Sequence, residues 1–139
     1  MAKSYTGIGV VYYSQGQYER ALEYYQKSLE INIKVCGQDH PDVAGSYNNI
    51  AIIYRNQGKY EEALELYSKS LDITTRIYGG DNHPDVAMSK YNIAGLKKTQ
   101  GDLEGAHRLF LECEQIYLKA YGSDHSETVD AARQASRCV

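Results

Sequence analysis

His40 and His83 each stand before a proline, with an aspartate two residues on, in the strings Asp39-His40-Pro41-Asp42 and Asn82-His83-Pro84-Asp85. Imidazole beside carboxylate is the raw material of metal binding and of proton transfer. The two histidines are 43 residues apart (40 to 83), in successive turns of a repeating chain. Stacking therefore sets them in a row rather than around one ion, and the expected role is helix capping and turn packing, with His125 in the same role. His107 stands alone without a candidate partner. Cys36, Cys113 and Cys138 are odd in number and have no short paired spacing, which argues against both a disulfide framework and a zinc site. Gly7-Ile8-Gly9 lacks the preceding strand and third glycine of a dinucleotide site. No Gly-Lys-Ser/Thr string and no triad of nucleophile, base and orienter are present. The expectation is a non-enzyme with no metal and no cofactor.

What organises the chain is repetition. Gly16, Gly58 and Gly101 recur at offsets of 42 and then 43 residues, and so do Ala21, Ala63 and Ala106, the aromatics Tyr25, Tyr67 and Phe110, and Gly37, Gly79 and Gly122. Self-similarity at this period implies stacked supersecondary units that bury a core between neighbours. Three units and a remnant fit 139 residues: repeat 1 at about 2–41, repeat 2 at about 42–84, repeat 3 at about 85–125, and a capping helix at about 126–138.

Each unit reads as two helices. Tyr47, Ile50, Ala51 and Tyr54 form one apolar stripe at three- and four-residue spacing; Gly58 then breaks the pattern. Tyr60, Ala63, Leu64, Tyr67, Ser70, Leu71, Ile73 and Ile77 form the second stripe. The first helices, A, are predicted at about 3–15, 42–57 and 85–100, and the second, B, at about 18–36, 60–78 and 103–121. Pro84 suits a first helical turn, where its missing N–H has no partner to lose. Gly9, Ala51 and Ala94 on A, and Ala21, Ala63 and Ala106 on B, mark where paired helices approach closely. Cys113 stands where Ser28 and Ser70 stand, a position asking for a small residue in a helix contact.

Gly16-Gln-Tyr18-Glu-Arg-Ala21 and Gly58-Lys-Tyr60-Glu-Glu-Ala63, each with a small residue seven beyond the alanine, resemble the tetratricopeptide repeat. The usual Trp is replaced by Tyr5 and Tyr47. The proline that ends helix B in that family is absent, with Ile33, Thr75 and Leu118 in its place. The 42-residue spacing and the strings GQDHPDVA and GGDNHPDVA look like the kinesin light chain subclass, whose Asn-Asn-Leu-Ala motif SYNNIA and KYNIA resemble. The resemblance implies an all-α, tetratricopeptide-type α-solenoid, a right-handed superhelix of antiparallel helix pairs. In that subclass the concave surface of the A helices takes short, extended, often acidic peptides. Asn49 and Asn92 match the second Asn of the motif, and Arg55 matches a groove arginine. Thr6-Gly7 and Val10 depart from the pattern in the first unit, where weaker or more apolar binding is expected. No heptad-rich segment of the kind that joins a kinesin heavy chain is present, so a motor-cargo role is not implied.

Charge supports a groove separately from the resemblance. Windows 3–15, 44–57 and 87–100 carry Lys3, Arg55, Lys90, Lys97 and Lys98 and no acid, and the last helix sets Arg133 and Arg137 against Asp130. The B helices are rich in glutamate, and the whole chain has a formal net charge of -3. A positive inner wall on a negative molecule attracts an acidic segment. Asn48, Asn49 and Asn92 are middling helix formers whose amides can either bond a peptide backbone or bridge neighbouring helices. Tyr91 and Tyr13 offer flat apolar contact. The expected function is a peptide-binding adaptor or scaffold using Asn48, Asn49, Arg55, Tyr91, Asn92, Lys98, Arg133 and Arg137 on an acidic protein partner. The alternative is a structural module that docks another copy or domain through its end faces or B helices. Nucleic acid is not an expected partner, given the acidic balance. The longest apolar run is far short of the roughly 20 residues of a membrane span, and no secretory leader pattern is seen, so the expected location is cytoplasmic. Ile8, Val11 and Tyr12 leave the first helix with an apolar outer face, from which weak self-association is expected.

Overall fold

The computed structural model describes residues 2–80 and 82–138. Among them are seven α-helices and no strand: α1 (Ala2–Ser14), α2 (Tyr18–Cys36), α3 (Pro41–Asn56), α4 (Tyr60–Tyr78), α5 (Pro84–Thr99), α6 (Leu103–Tyr121) and α7 (Ser126–Arg137). The B helices α2, α4 and α6 have the predicted bounds, whereas each A helix runs one residue earlier than predicted. In α3 and α5 the reason is that proline is the first helical residue and the preceding histidine is the N-cap. Helix breaks fall at glycines as predicted; Gly58, with φ of 78°, holds the left-handed backbone that a side chain would strain.

The helices fall into two compact units, Met1–Ile77 and Tyr78–Val139. In the first, Ala21, Tyr25, Ile50 and Ile53 form a core flanked by Tyr12, Tyr13, Leu22 and Leu29. A second cluster gathers Val43, Ala44 and Ile73 with Leu29, Ile33, Tyr47 and Ile77. Small residues decide these contacts. Ala21, Ala51 and Ala63 are fully buried, and a Cβ on Gly9 would stand 2.7 Å from the Tyr25 ring. In the second unit, α7 lays Ala131 on Cys113, Ile116 and Tyr117 and lays Ala135 on Ala106 and Phe110. The last helix thus covers the apolar face of α6.

Equivalent positions resolve their polarity in three ways. Ser28 shares a 2.7 Å hydrogen bond with Thr6. The buried Cys113 thiol donates to the Ala87 carbonyl at 3.1 Å, and burial pushes its pKa up to about 12, which makes it an inert packing group. Ser70 and Tyr67 are fully buried, and neither the Ser70 Oγ nor the Tyr67 hydroxyl has a protein partner among the described residues. The third repeat places Phe110 where Tyr67 stands.

On α1, Ile8 and Val11 are 40% and 54% exposed, whereas their counterparts Ile50 and Ile53 are buried. The apolar outer face expected of the first helix is therefore present.

Two substitutions separate packing from polarity in denaturant unfolding. Ala63→Leu overfills the helix crossing and should cost about 1–3 kcal/mol. Tyr67→Phe removes a hydroxyl with no protein partner and should change stability by less than about 1 kcal/mol or raise it.

Candidate functional site

The histidines are caps. The Nδ1 atoms of His40, His83 and His125 accept the backbone N–H of Asp42, Asp85 and Glu127 at 3.0, 3.0 and 3.2 Å. Each thus satisfies one donor that a helix start leaves unpaired. Tyr78 stacks on His83 with ring centroids 3.6 Å apart, and its hydroxyl donates to Asp85 at 2.8 Å. His107, without a candidate partner in sequence, has its Nδ1 2.7 Å from the Ala135 carbonyl; as a donor to that oxygen it ties α6 to α7.

In the first unit the A helices enclose a hollow of about 260 Å³. Its walls are Ala2, Lys3 and Thr6 of α1 and Gly45, Ser46 and Asn49 of α3, and Asn32 reaches it from α2. Asn32 donates from Nδ2 to Ser46 Oγ at 3.1 Å, and Ser46 donates to the Asp42 carbonyl at 3.0 Å. These bonds fix the polar side chains at the edge of the hollow. Most of the surface lining the hollow is nonetheless apolar, in keeping with the more apolar binding expected where Thr6-Gly7 departs from the pattern. At the other end of the same two helices, Asn56 donates to the Tyr13 hydroxyl at 2.7 Å.

Of the first unit's predicted site residues, Asn49 lines the hollow. Asn48, by contrast, turns its Oδ1 inward, buried and without a protein partner among the described residues. Arg55 is half-buried; its positive charge opposes the desolvation that raises the Tyr67 pKa, which places it on the Tyr67 side of α3.

The second unit spends more of its predicted residues on its own structure. Tyr91 packs edge-on against Phe110, with centroids 5.2 Å apart, and donates its hydroxyl to Asp130 of α7. Lys98 donates to Gln134 Oε1 at 3.2 Å. Lys90, whose side chain is only 12% exposed, pairs with Glu112 at 3.6 Å, and Lys97 pairs with Asp102 at 3.6 Å. Two lysines counted toward a positive inner wall are therefore neutralised by acids of α6 and its cap, because a helix face reads all its neighbours and not just its own sequence. Asn92 is half-buried, and Arg133 and Arg137 are exposed on α7. The residues that sequence reasoning missed are Lys3, Thr6, Asn32 and Ser46 as lining. Lys3 appeared only as a charge, and Asn32 lies on a B helix at a position filled by Thr74 and Tyr117 in the later repeats, which the repeat alignment alone could have flagged.

Among the described residues no helix is long and apolar enough to cross a membrane. The sequence model of the tetratricopeptide repeat matches residues 1–76 and 42–119. No curated protein sequence matches the chain. Similar solved structures include a kinesin light chain-type protein of nearly identical TPR-like repeats from Podosopora anserina, at 23% identity and a TM-score of 0.82 over 98% of this chain and 64% of that one. BtubC (BKLC) from P. vanneervenii is 22% identical with a TM-score of 0.80, over 99% and 60% of the two chains. PcrH in complex with the chaperone binding region of PopD is 18% identical with a TM-score of 0.70, over 98% and 89%. This chain thus spans less than two thirds of the first two of these proteins.

Burial and the bond to Asp130 push the Tyr91 hydroxyl up to about 12, above its ordinary 10.0. A tyrosine whose folded pKa is raised contributes stability that is complete below the unfolded value and is lost as pH rises through the folded one. Tyr91 should therefore ionise late in a tyrosinate absorbance titration, together with Tyr25, Tyr67, Tyr78 and Tyr117, whose hydroxyls are also raised, and Tyr91→Phe should lower the late amplitude by one tyrosine while weakening the α5 to α7 contact. The repeat spacing, the helix pairs with their small-residue crossings and the family match over most of the chain have one meaning: this protein belongs to the tetratricopeptide repeat family.

Proposed function

We propose that this chain is a non-catalytic protein-interaction module that takes an extended, acidic peptide segment along its A helices. The observation that carries the reading is the open, largely apolar hollow between α1 and α3, edged by polar groups with Lys3 on one wall and Asn49 on the other. An asparagine amide offers both a donor and an acceptor to a passing peptide backbone, and the ammonium adds attraction for a carboxylate. Arg55 in the first unit adds a further cation, and within the second unit Asn92, Lys98, Arg133 and Arg137 offer the same kinds of group. The solved complex of PcrH with a segment of PopD supports peptide capture as a use of this fold. Exposed charges contribute roughly 0.2–1 kcal/mol each, so affinity depends on an apolar or aromatic anchor supplied by the partner.

A second reading, docking of another copy or domain, is favoured by Ile8, Val10 and Val11, all exposed on α1. Binding of a labelled acidic peptide carrying one aromatic residue separates the two. On the peptide reading, Arg55→Glu/Lys98→Glu weakens binding by about 2–30-fold and flattens its salt dependence. Asn49→Ala acts on the dissociation rate. If neither change alters binding, while Ile8→Lys/Val11→Lys abolishes self-association in light scattering, the docking reading replaces it.

A further inference from the structure

We propose that Cys36, His40 and Asp42 form a binding site for a borderline-soft divalent cation, with Zn²⁺ the best match. The thiol sulfur, a ring nitrogen of His40 and a carboxylate oxygen of Asp42 all lie within 4.8 Å of one another. His40 Nδ1 and Asp42 Oδ2 are 3.9 Å apart. Ligand atoms around a tetrahedral zinc are separated by about 3.4–3.6 Å, given bond lengths near 2.0–2.3 Å. Cys36 is exposed and the Asp42 side chain is 56% exposed, which leaves both side chains room to turn toward a shared ion.

The chain contains its own comparison. The three A helices that follow a B helix are capped by histidine, and in the later two the residue that ends the preceding B helix is an aromatic lying on that histidine. These are Tyr78 on His83 and Tyr121 on His125, the latter with centroids 4.3 Å apart. The first junction places Cys36 at that position. A sulfur donor thus stands where the other junctions stack a ring, and no aromatic ring among the described residues stacks on His40.

The loop between the donors is held. Gly37, with φ of 82°, turns the chain back. Asp39 Oδ1 accepts from both Nε and Nη2 of Arg76 on α4, at 3.1 and 2.9 Å. Thiolate, imidazole and carboxylate are a donor set suited to Zn²⁺ and Co²⁺, and their two negative charges balance the ion; the fourth position goes to water. Cys36 closes α2, whose carbonyl end favours a cation, whereas the α3 N-terminus opposes one. On binding, the Cys36 S–H bond breaks, its proton passes to solvent and the sulfur bonds the metal. A ligand bond through His40 Nδ1 replaces the hydrogen bond from the Asp42 N–H, and that exchange limits the affinity to moderate strength.

Titration of the reduced, chelator-stripped chain with Co²⁺ tests the site. The expected result is a thiolate-to-cobalt charge-transfer band with four-coordinate d–d bands, saturating at one ion per chain and displaced by Zn²⁺. Cys36→Tyr rebuilds the junction found at His83 and His125 and should abolish the band with the helical circular dichroism unchanged. His40→Asn keeps a capping side chain but removes the imidazole, and should weaken binding by about tenfold or more. Absence of the band in the wild type overturns the proposal, as does a band that survives Cys36→Tyr or an affinity untouched by His40→Asn.

Discussion

The close approach of helix A to helix B is the constraint on which the rest of the molecule depends. Gly9, Ala51 and Ala94 on the A helices and Ala21, Ala63 and Ala106 on the B helices are all buried; Gly9 faces the Tyr25 ring, and Ala94 and Ala106 share one core cluster. The aromatics Tyr25, Tyr67 and Phe110, one turn further along each B helix, are buried beside them. A larger residue at a crossing would separate the helices and expose those rings, and burying rings of this size is worth far more than the small residues themselves contribute. The small residues matter for the space they leave.

The junctions between helix pairs obey a second rule, in which histidine does the work more often given to serine or aspartate. An imidazole nitrogen reaches the second backbone N–H of the following helix, and proline fixes the first turn. The ring also presents a flat face, which Tyr78 and Tyr121 cover. Where the chain substitutes Cys36 for that aromatic, a purely architectural joint acquires chemical donors. One substitution against a repeating background carries more information than the repeated residues do.

Electrostatics divides the two units. In the first, α1 and α3 leave an open, largely apolar hollow at whose edge Asn32 and Ser46 are bonded to each other. In the second, α7 draws Tyr91 and Lys98 into the seam with α5 through Asp130 and Gln134. A terminal helix has to supply both apolar cover and polar partners for the face it closes, and α7 supplies the latter with Asp130 and Gln134.

The helical pairs, their breaks and the small-residue crossings were legible in the sequence alone, because periodicity of 3.6 residues and repetition at 42 and 43 residues are local properties that a chain carries without folding. The capping role of the histidines and the packing role of Cys113 were legible for the same reason, since each follows from its place in a repeat. What only the tertiary structure decided was the allocation of polar groups. Lys90 and Lys97 read as free inner-wall charges until Glu112 and Asp102 are found beside them, and Asn48 reads like Asn49 although Asn48 turns its Oδ1 into the interior while Asn49 lines a hollow. Neighbouring positions on a helix differ by about 100° in direction. Which of them meets a partner, a cavity or water is settled by elements distant in sequence, and no local pattern records that.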